Sequence, residues 1–145
     1  MTLKQLERNA EAFFDSGYNC AESVSQAVIE AFSAEHADGL PRLASAFGGG
    51  IGGSKQELCG AFTGGVMAIG FLLGRSEPGI DISIAKAAAQ AFRQVCLQKY
   101  GSLNCGRLLE AFGDQVNYDR CRRMVSTVTT ELAHILAEHG LTLKP

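Results

Sequence analysis

The run ELCGAFTGGVMAIGFLLG, residues 57–74, decides how the rest of the chain is read. From Leu58 to Gly74 it carries no charge, so it is either a membrane span or a helix buried inside a globular fold. A span needs roughly 20 apolar residues, and this run falls a little short. It is also interrupted by Gly60, Gly64, Gly65, Gly70 and Gly74. Gly60, Gly64 and Ala68 recur at intervals of four, a spacing that lets neighbouring helix backbones approach closely in water as well as in lipid. No other segment has the character of a span. The run reads as a buried central helix, stopped near Gly74 and Pro78.

A buried central helix needs other helices around it, and the flanking sequence supplies them. LKQLERNAEAFFDS places Leu3, Leu6, Ala10, Phe13 and Phe14 at helical spacing, with Gly17 as the stop. CAESVSQAVIEAFSAEHA puts Val24, Ala27, Val28, Ala31 and Phe32 on one face. PRLASAF opens on a proline suited to a first helical turn. DISIAKAAAQAFRQVCLQKY is long and amphipathic, NCGRLLEAF is short, and DRCRRMVSTVTTELAHILAEHG closes at Gly140. No stretch alternates apolar and polar residues long enough for a sheet. The expectation is an all-α, compact bundle of about six or seven helices, one domain over residues 1–145.

Composition fits that picture. The chain has 145 residues, 46% of them hydrophobic, enough for a core without covalent staples. Net charge is -2 with Lys and Arg scattered, which gives no footprint for nucleic acid or an anionic membrane. The N-terminal MTLKQLERNAEAFFDSG is too charged for a secretory signal, so a cytoplasmic location is expected. In that compartment cysteines bind metal or do redox work more often than they form structural disulfides. There are five, which a fully paired single chain cannot accommodate.

The cysteines share a local context. In YNCAE, Asn19 suits an N-cap with Glu22 as its capping-box partner, which makes Cys20 the first helical residue. In SLNCGRL, Asn104 caps in the same way and Cys105 follows. In NYDRCRRMV, Asn117 or Asp119 caps and Cys121 lies in the first turn; in SKQELCGA, Ser54 and Glu57 form a box and Cys59 lies in the second turn. The positive end of a helix favours thiolate, the form that ligates metal and attacks disulfides. Arg120, Arg122 and Arg123 add to this around Cys121. The plain alternative is that these are small core residues. Cys96 fits that alternative, late in a helix on the Ala88, Ala89 and Phe92 face.

The stretch AFGGGIGGSKQELCG satisfies G-x-G-x-x-G by letter at Gly48, Gly50 and Gly53. A dinucleotide site needs a strand before that pattern, and a helical segment precedes it here. A loop beside Cys59 is expected instead. Glycines permit positive φ and close approach, so Gly48, Gly49, Gly50 and Gly60 are candidate cofactor contacts whose N–H groups can bond thiolates, cluster sulfides or an anion. His36, His134 and His139 are spread out and form no ligand set, and the absence of C-x-x-C argues against a zinc ribbon or a thioredoxin-type dithiol.

CGAFTG, residues 59–64, resembles the CGAxxG signature of the C_GCAxxG_C_C family of redox-active proteins. One family cysteine precedes that motif and two follow it, a pattern that falls on Cys20, Cys59, Cys105 and Cys121. GYNCAESV, FGGGIGG and GSLNC also resemble family sequence, so the likeness runs through most of the chain. Arg122 departs from it, standing where the pattern has proline, and Cys96 lies outside the signature. The resemblance implies a redox role for Cys20, Cys59, Cys105 and Cys121.

Three functions follow. The leading one is an iron–sulfur cluster or zinc held by those four thiolates for electron transfer or redox sensing, because converging thiolates without a cation repel. The second is a cofactor-free thiol–disulfide protein with pairs such as Cys20–Cys59 and Cys105–Cys121. The third is a helical binding or scaffold module in which the cysteines merely pack. The four are expected to converge near one end of the bundle, close to solvent, where a redox partner protein can reach them. A homodimer is expected on the general frequency of two-fold dimers.

Overall fold

In the computed structural model, which describes residues 1–35 and 38–145, the chain forms seven α-helices. They are α1 (Leu3–Asp15), α2 (Cys20–Phe32), α3 (Leu40–Ala44), α4 (Gly60–Leu73), α5 (Ser83–Tyr100), α6 (Cys105–Phe112) and α7 (Asp119–Glu138), with a 3₁₀ turn at Ser45–Phe47 after α3. Among the described residues the one departure from helix and loop is a single antiparallel bridge between Leu58 and Asn104. The all-α expectation holds. The second helix stops at Phe32, the last residue of its apolar face. His36 lies outside the described residues.

The helix ends follow local chemistry. Thr2 and Gln5 form a capping box at α1 that the sequence reading did not anticipate. At its other end Gly17, with φ of 111°, turns the chain so that the Tyr18 N–H reaches the Phe13 carbonyl. Gly140 does the same for α7: the Leu141 N–H bonds the Leu136 carbonyl and the Gly140 N–H bonds that of Ala137.

Helix α2 is the hub and packs against α1, α3, α4 and α7. It is buried nearly all round, including Ser23, Ser25 and Gln26. Their side chains donate back to carbonyls one turn earlier, which satisfies them without a partner helix. Helix α4 lies against α2 along its glycines. A Cβ on Gly64 would run into the Ala21 backbone, and one on Gly60 would stand 2.5 Å from the Cys20 sulfur. The four-residue glycine spacing thus does what its sequence suggested. On the other side of α4, Gly65 leaves room for the Phe92 ring of α5, which stacks on Phe62 with centroids 5.3 Å apart. No helix among the described residues is long and apolar enough to cross a membrane.

Candidate functional site

Two asparagines that do the same two jobs place Cys20 and Cys105. At α2, the Asn19 side-chain oxygen accepts from the Glu22 N–H at 2.9 Å, and its nitrogen donates to the Ser45 carbonyl at 3.0 Å. At α6, the Asn104 oxygen accepts from the Arg107 N–H at 3.1 Å, and its nitrogen donates to the Gln56 carbonyl at 2.7 Å. Each asparagine caps its own helix and ties the segment that carries or adjoins the glycine loop. Both Asn–Cys pairs therefore place a sulfur at the first position of a helix beside that loop.

The expected helix start at Ser54 and Glu57 does not form. Ser54 instead donates to the Gly50 carbonyl, and α4 begins at Gly60 with Cys59 as its N-cap. The reason is pairing further along. The Cys59 N–H donates to the Leu103 carbonyl at 2.7 Å, and the Cys105 N–H donates to the Glu57 carbonyl at 2.8 Å. These two bonds hold residues 57–59 extended against 103–105, so a helix cannot extend back through them. They also fix the starts of α4 and α6 next to each other.

Between α3 and that bridge the chain makes a left-handed turn. Gly49, Gly50, Ile51, Gly52 and Gly53 are consecutive residues with φ between 62° and 69°. The turn is closed by bonds from the Gly52 N–H to Ala46, from the Gly53 N–H to Gly48 and from the Lys55 N–H to Gly49. Ile51 is a β-branched residue in a region that such residues rarely adopt. The turn brings the Gly49 N–H to the Cys20 sulfur and lays Gly50 against Cys105, where a Cβ would meet the Cys105 Cβ at 2.6 Å. The expected loop is present, and the cysteines it lies against are Cys20 and Cys105. Of the four glycines named as cofactor contacts, Gly49 and Gly60 line the cavity described next, while Gly48 and Gly50 give room to Asn19 and Cys105.

Cys20, Cys59, Cys105 and Cys121 all line one cavity of about 1040 Å³, which is open to solvent at the exposed Lys55 and Tyr118. Cys96 is not among its walls; it is buried in the core with Ala88 and Phe92. Burial and the Glu131 carboxylate push its thiol up to about 12. All five cysteines are free thiols.

Their acidities separate them. Cys20 and Cys59 interact directly, and the thiol of Cys59 donating to Cys20 brings Cys20 down to about 6. Burial opposes that, while the N–H groups of Gly49, Ala21 and Cys20 itself support it. Cys59 moves well above the ordinary thiol value for the same reason, with burial and the Cys20 charge adding to the effect. Cys59 is the more buried of the two. Cys59 also lies 3.9 Å from the Met124 sulfur. Cys105 is raised by burial and by the charges of Cys20 and Cys121. Burial likewise raises Cys121, against a hydrogen bond from Gln115. Only Cys20 of the four is lowered, chiefly by the Cys59 thiol and then by backbone N–H groups that include those at the start of α2; Cys59 is raised first by its bond to Cys20, and Cys105 and Cys121 first by burial.

Two further expectations around Cys121 are corrected. Neither Asn117 nor Asp119 caps α7: Tyr118 is the N-cap, with a left-handed backbone and no side-chain bond to the helix. Gln115 takes over, its oxygen accepting from the Arg120 N–H at 2.8 Å and the Cys121 N–H at 2.9 Å. Arg122 does not serve Cys121, because it is paired with Asp15 and Glu11 of α1. Arg120 and Arg123 do not figure among the charges that act on this sulfur, which are those of Cys20 and Asp119. Gln115 sits in a loop whose sequence, GDQVN, carries no periodic signal, so single-sequence reasoning had no means to find it.

The donor chemistry of four thiols suits zinc or an iron–sulfur cluster. Among the described residues no three His, Cys, Asp or Glu side chains stand together as a metal-ligand set. A family model described as "Putative redox-active protein (C_GCAxxG_C_C)" matches residues 18–135, a span that holds all four cysteines of the cavity. No curated protein and no solved structure matches the chain.

Proposed function

Since the chain belongs to the C_GCAxxG_C_C family of redox-active proteins, we propose that it is a thiol–disulfide redox protein whose reactive pair is Cys20 and Cys59. The observation that carries this reading is the direct interaction of two free thiols of opposite acidity at the wall of an open cavity. A thiolate with a pKa near ambient pH is the best attacking thiol, since a lower value sacrifices nucleophilicity and a higher one leaves too little thiolate.

The Cys20 thiolate attacks one sulfur of an external disulfide, forming a mixed disulfide and expelling the other half as a thiolate. Cys59 then gives its proton to solvent and attacks the Cys20 sulfur. The Cys20–Cys59 bond forms, the second substrate thiolate leaves, and two electrons have passed from the protein to the substrate. A partner dithiol protein restores the reduced pair by the same exchange in reverse. The Gly49 N–H and the start of α2 hold the charge on Cys20.

Reduced protein treated with dithiobis(nitrobenzoic acid) and mapped by peptide mass tests the reading. A Cys20–Cys59 disulfide is expected in the wild type and a trapped mixed disulfide at Cys20 in Cys59→Ser. Oxidation that bypasses Cys20, or an unchanged rate in Cys20→Ser, would overturn it. The iron–sulfur or zinc reading is supported by the shared cavity of the four thiols, although no three of them form a ligand set among the described residues. Stoichiometric iron, zinc or acid-labile sulfide in protein purified without oxygen would put it first. Thiols that react no faster than those of an unstructured peptide would favour the scaffold reading.

A further inference from the structure

Gln115 meets the start of α7 through three contacts, two of them with Cys121, and their directions fix the sense of its amide. Its oxygen accepts from two backbone N–H groups of the first turn of α7, Arg120 and Cys121. Both are donors, so the atom that meets them is the oxygen. The NH₂ end is then the one that lies 3.4 Å from the Cys121 sulfur. An amide NH₂ only donates, so the sulfur must accept. A thiolate is a far better acceptor than a thiol, and a hydrogen bond to a charged group is worth more than one to a neutral group.

Cys105 faces the same cavity without such a donor: burial and the charges of Cys20 and Cys121 act on it, eased by Lys55. Burial first, and then the charges of Cys20 from α2 and Asp119 on its own helix, hold the Cys121 thiol above the ordinary value, with Cys105 of α6 the other titratable group facing it; the Gln115 amide acts against that rise. A donor aimed at this one sulfur is thus an arrangement that packing of a small core residue does not call for.

We infer that Gln115 is a positioning residue that makes Cys121 a second nucleophile of the cavity, acting on the same class of substrate, an external disulfide. The inference takes its substrate from the thiol–disulfide reading, but its geometry is independent of the Cys20–Cys59 pair. In the step, Cys121 loses its proton to solvent and attacks one sulfur of the disulfide. A bond forms between Cys121 and that sulfur, the old sulfur–sulfur bond breaks, and the departing thiolate takes a proton from water.

The test is site-resolved labelling of reduced, full-length protein with iodoacetamide pulses across pH and with dithiobis(nitrobenzoic acid), each cysteine being quantified by peptide mass. Cys121 is expected to outpace Cys105 in the wild type and to form the mixed disulfide with the probe. Gln115→Glu keeps oxygen acceptors for the two backbone N–H groups but sets a carboxylate charge where the donor stood, and Gln115→Met removes the donor without adding charge. Both should slow Cys121 about ten-fold and move its half-maximal pH upward, and Gln115→Met should leave Cys105 and the helical circular dichroism unchanged. A Cys121 rate unaffected by Gln115→Met, or Cys105 faster than Cys121 in the wild type, overturns the inference. If the variant loses its helical signal, the wild-type comparison decides. Failure at Cys20 in the same map counts against the primary pair and not against Gln115.

Discussion

At the scale of single residues, the left-handed turn sets backbone strain beside the sulfur with the lowest pKa of the four in the cavity. Ile51 has φ of 65° and is 46% exposed, so it gains little packing in return for an unfavourable conformation. Ile51→Gly should raise stability by about 1–2 kcal/mol, the usual cost of a left-handed residue with a Cβ, as read in a urea melt. Gly50→Ala should do the reverse, because its Cβ would meet Cys105. Cys20 offers a direct check on the site. Its alkylation rate should reach a plateau by about pH 7, since it ionises at about 6, whereas Cys59 should stay slow well past the ordinary thiol range. A Cys20 rate still climbing steeply above pH 8 would show that the pair does not share its proton as described.

At the scale of elements, the determining contacts are helix starts and one close helix–helix approach. Asn104→Ala loses the cap of α6, worth about 1 kcal/mol, and also the tie to the Gln56 carbonyl. Asn104→Asp keeps the cap oxygen and loses only the tie. The expected result is that Ala destabilises more than Asp, and that both raise hydrogen exchange at the Cys59 and Cys105 amides, which hold the bridge between 57–59 and 103–105. Equal exchange in both variants and the wild type would mean that the bridge stands without the asparagine. Gly64 is a harder constraint. Gly64→Val drives a branched side chain into the Ala21 backbone, and overpacking against backbone should cost about 3 kcal/mol or more. A chevron or thermal melt would read it. Because Ala21 directly follows Cys20, the same variant should also disturb Cys20 reactivity.

For the whole molecule, the thiols make stability depend on pH in two opposite senses. Folded Cys20 ionises at about 6, while an unfolded thiol does so near 8.5. Between those values the unfolded chain holds more protons, so stability rises with pH. Above about 8.5 the balance reverses. There Cys59, Cys96, Cys105 and Cys121 hold their protons to higher pH in the fold than in the unfolded chain, because their values are raised. The reduced protein should therefore show a melting temperature that climbs from pH 6 to about 8 and falls beyond 9. Cys20→Ser should flatten the climb and soften the fall without abolishing it, since Cys59, Cys105 and Cys121 lose the Cys20 charge but keep their burial. A climb that survives Cys20→Ser would assign it to another group.

The seven helices, the glycine-spaced α4 and the caps at Asn19 and Asn104 were legible in the sequence, because each depends on residues within a turn of one another or on a repeat of four. The gathering of Cys20, Cys59, Cys105 and Cys121 apart from Cys96 was legible for a related reason: four helix starts flank a glycine loop, and the fifth cysteine lies late in a helix. What the tertiary structure decided is which sulfur carries charge. That depends on what stands across the cavity: the Cys59 thiol and the Gly49 N–H for Cys20, burial and the Cys20 charge for Cys105, and the Gln115 amide for Cys121. It also decided that Cys59 caps α4 rather than lying within it, because residues 57–59 pair with 103–105, some 45 positions away. Arg122 looked like a neighbour of Cys121 by sequence and serves α1 instead. Hydrogen bonds within a turn are set by the order of residues, whereas desolvation and charge repulsion act across space, and only packing brings their partners together.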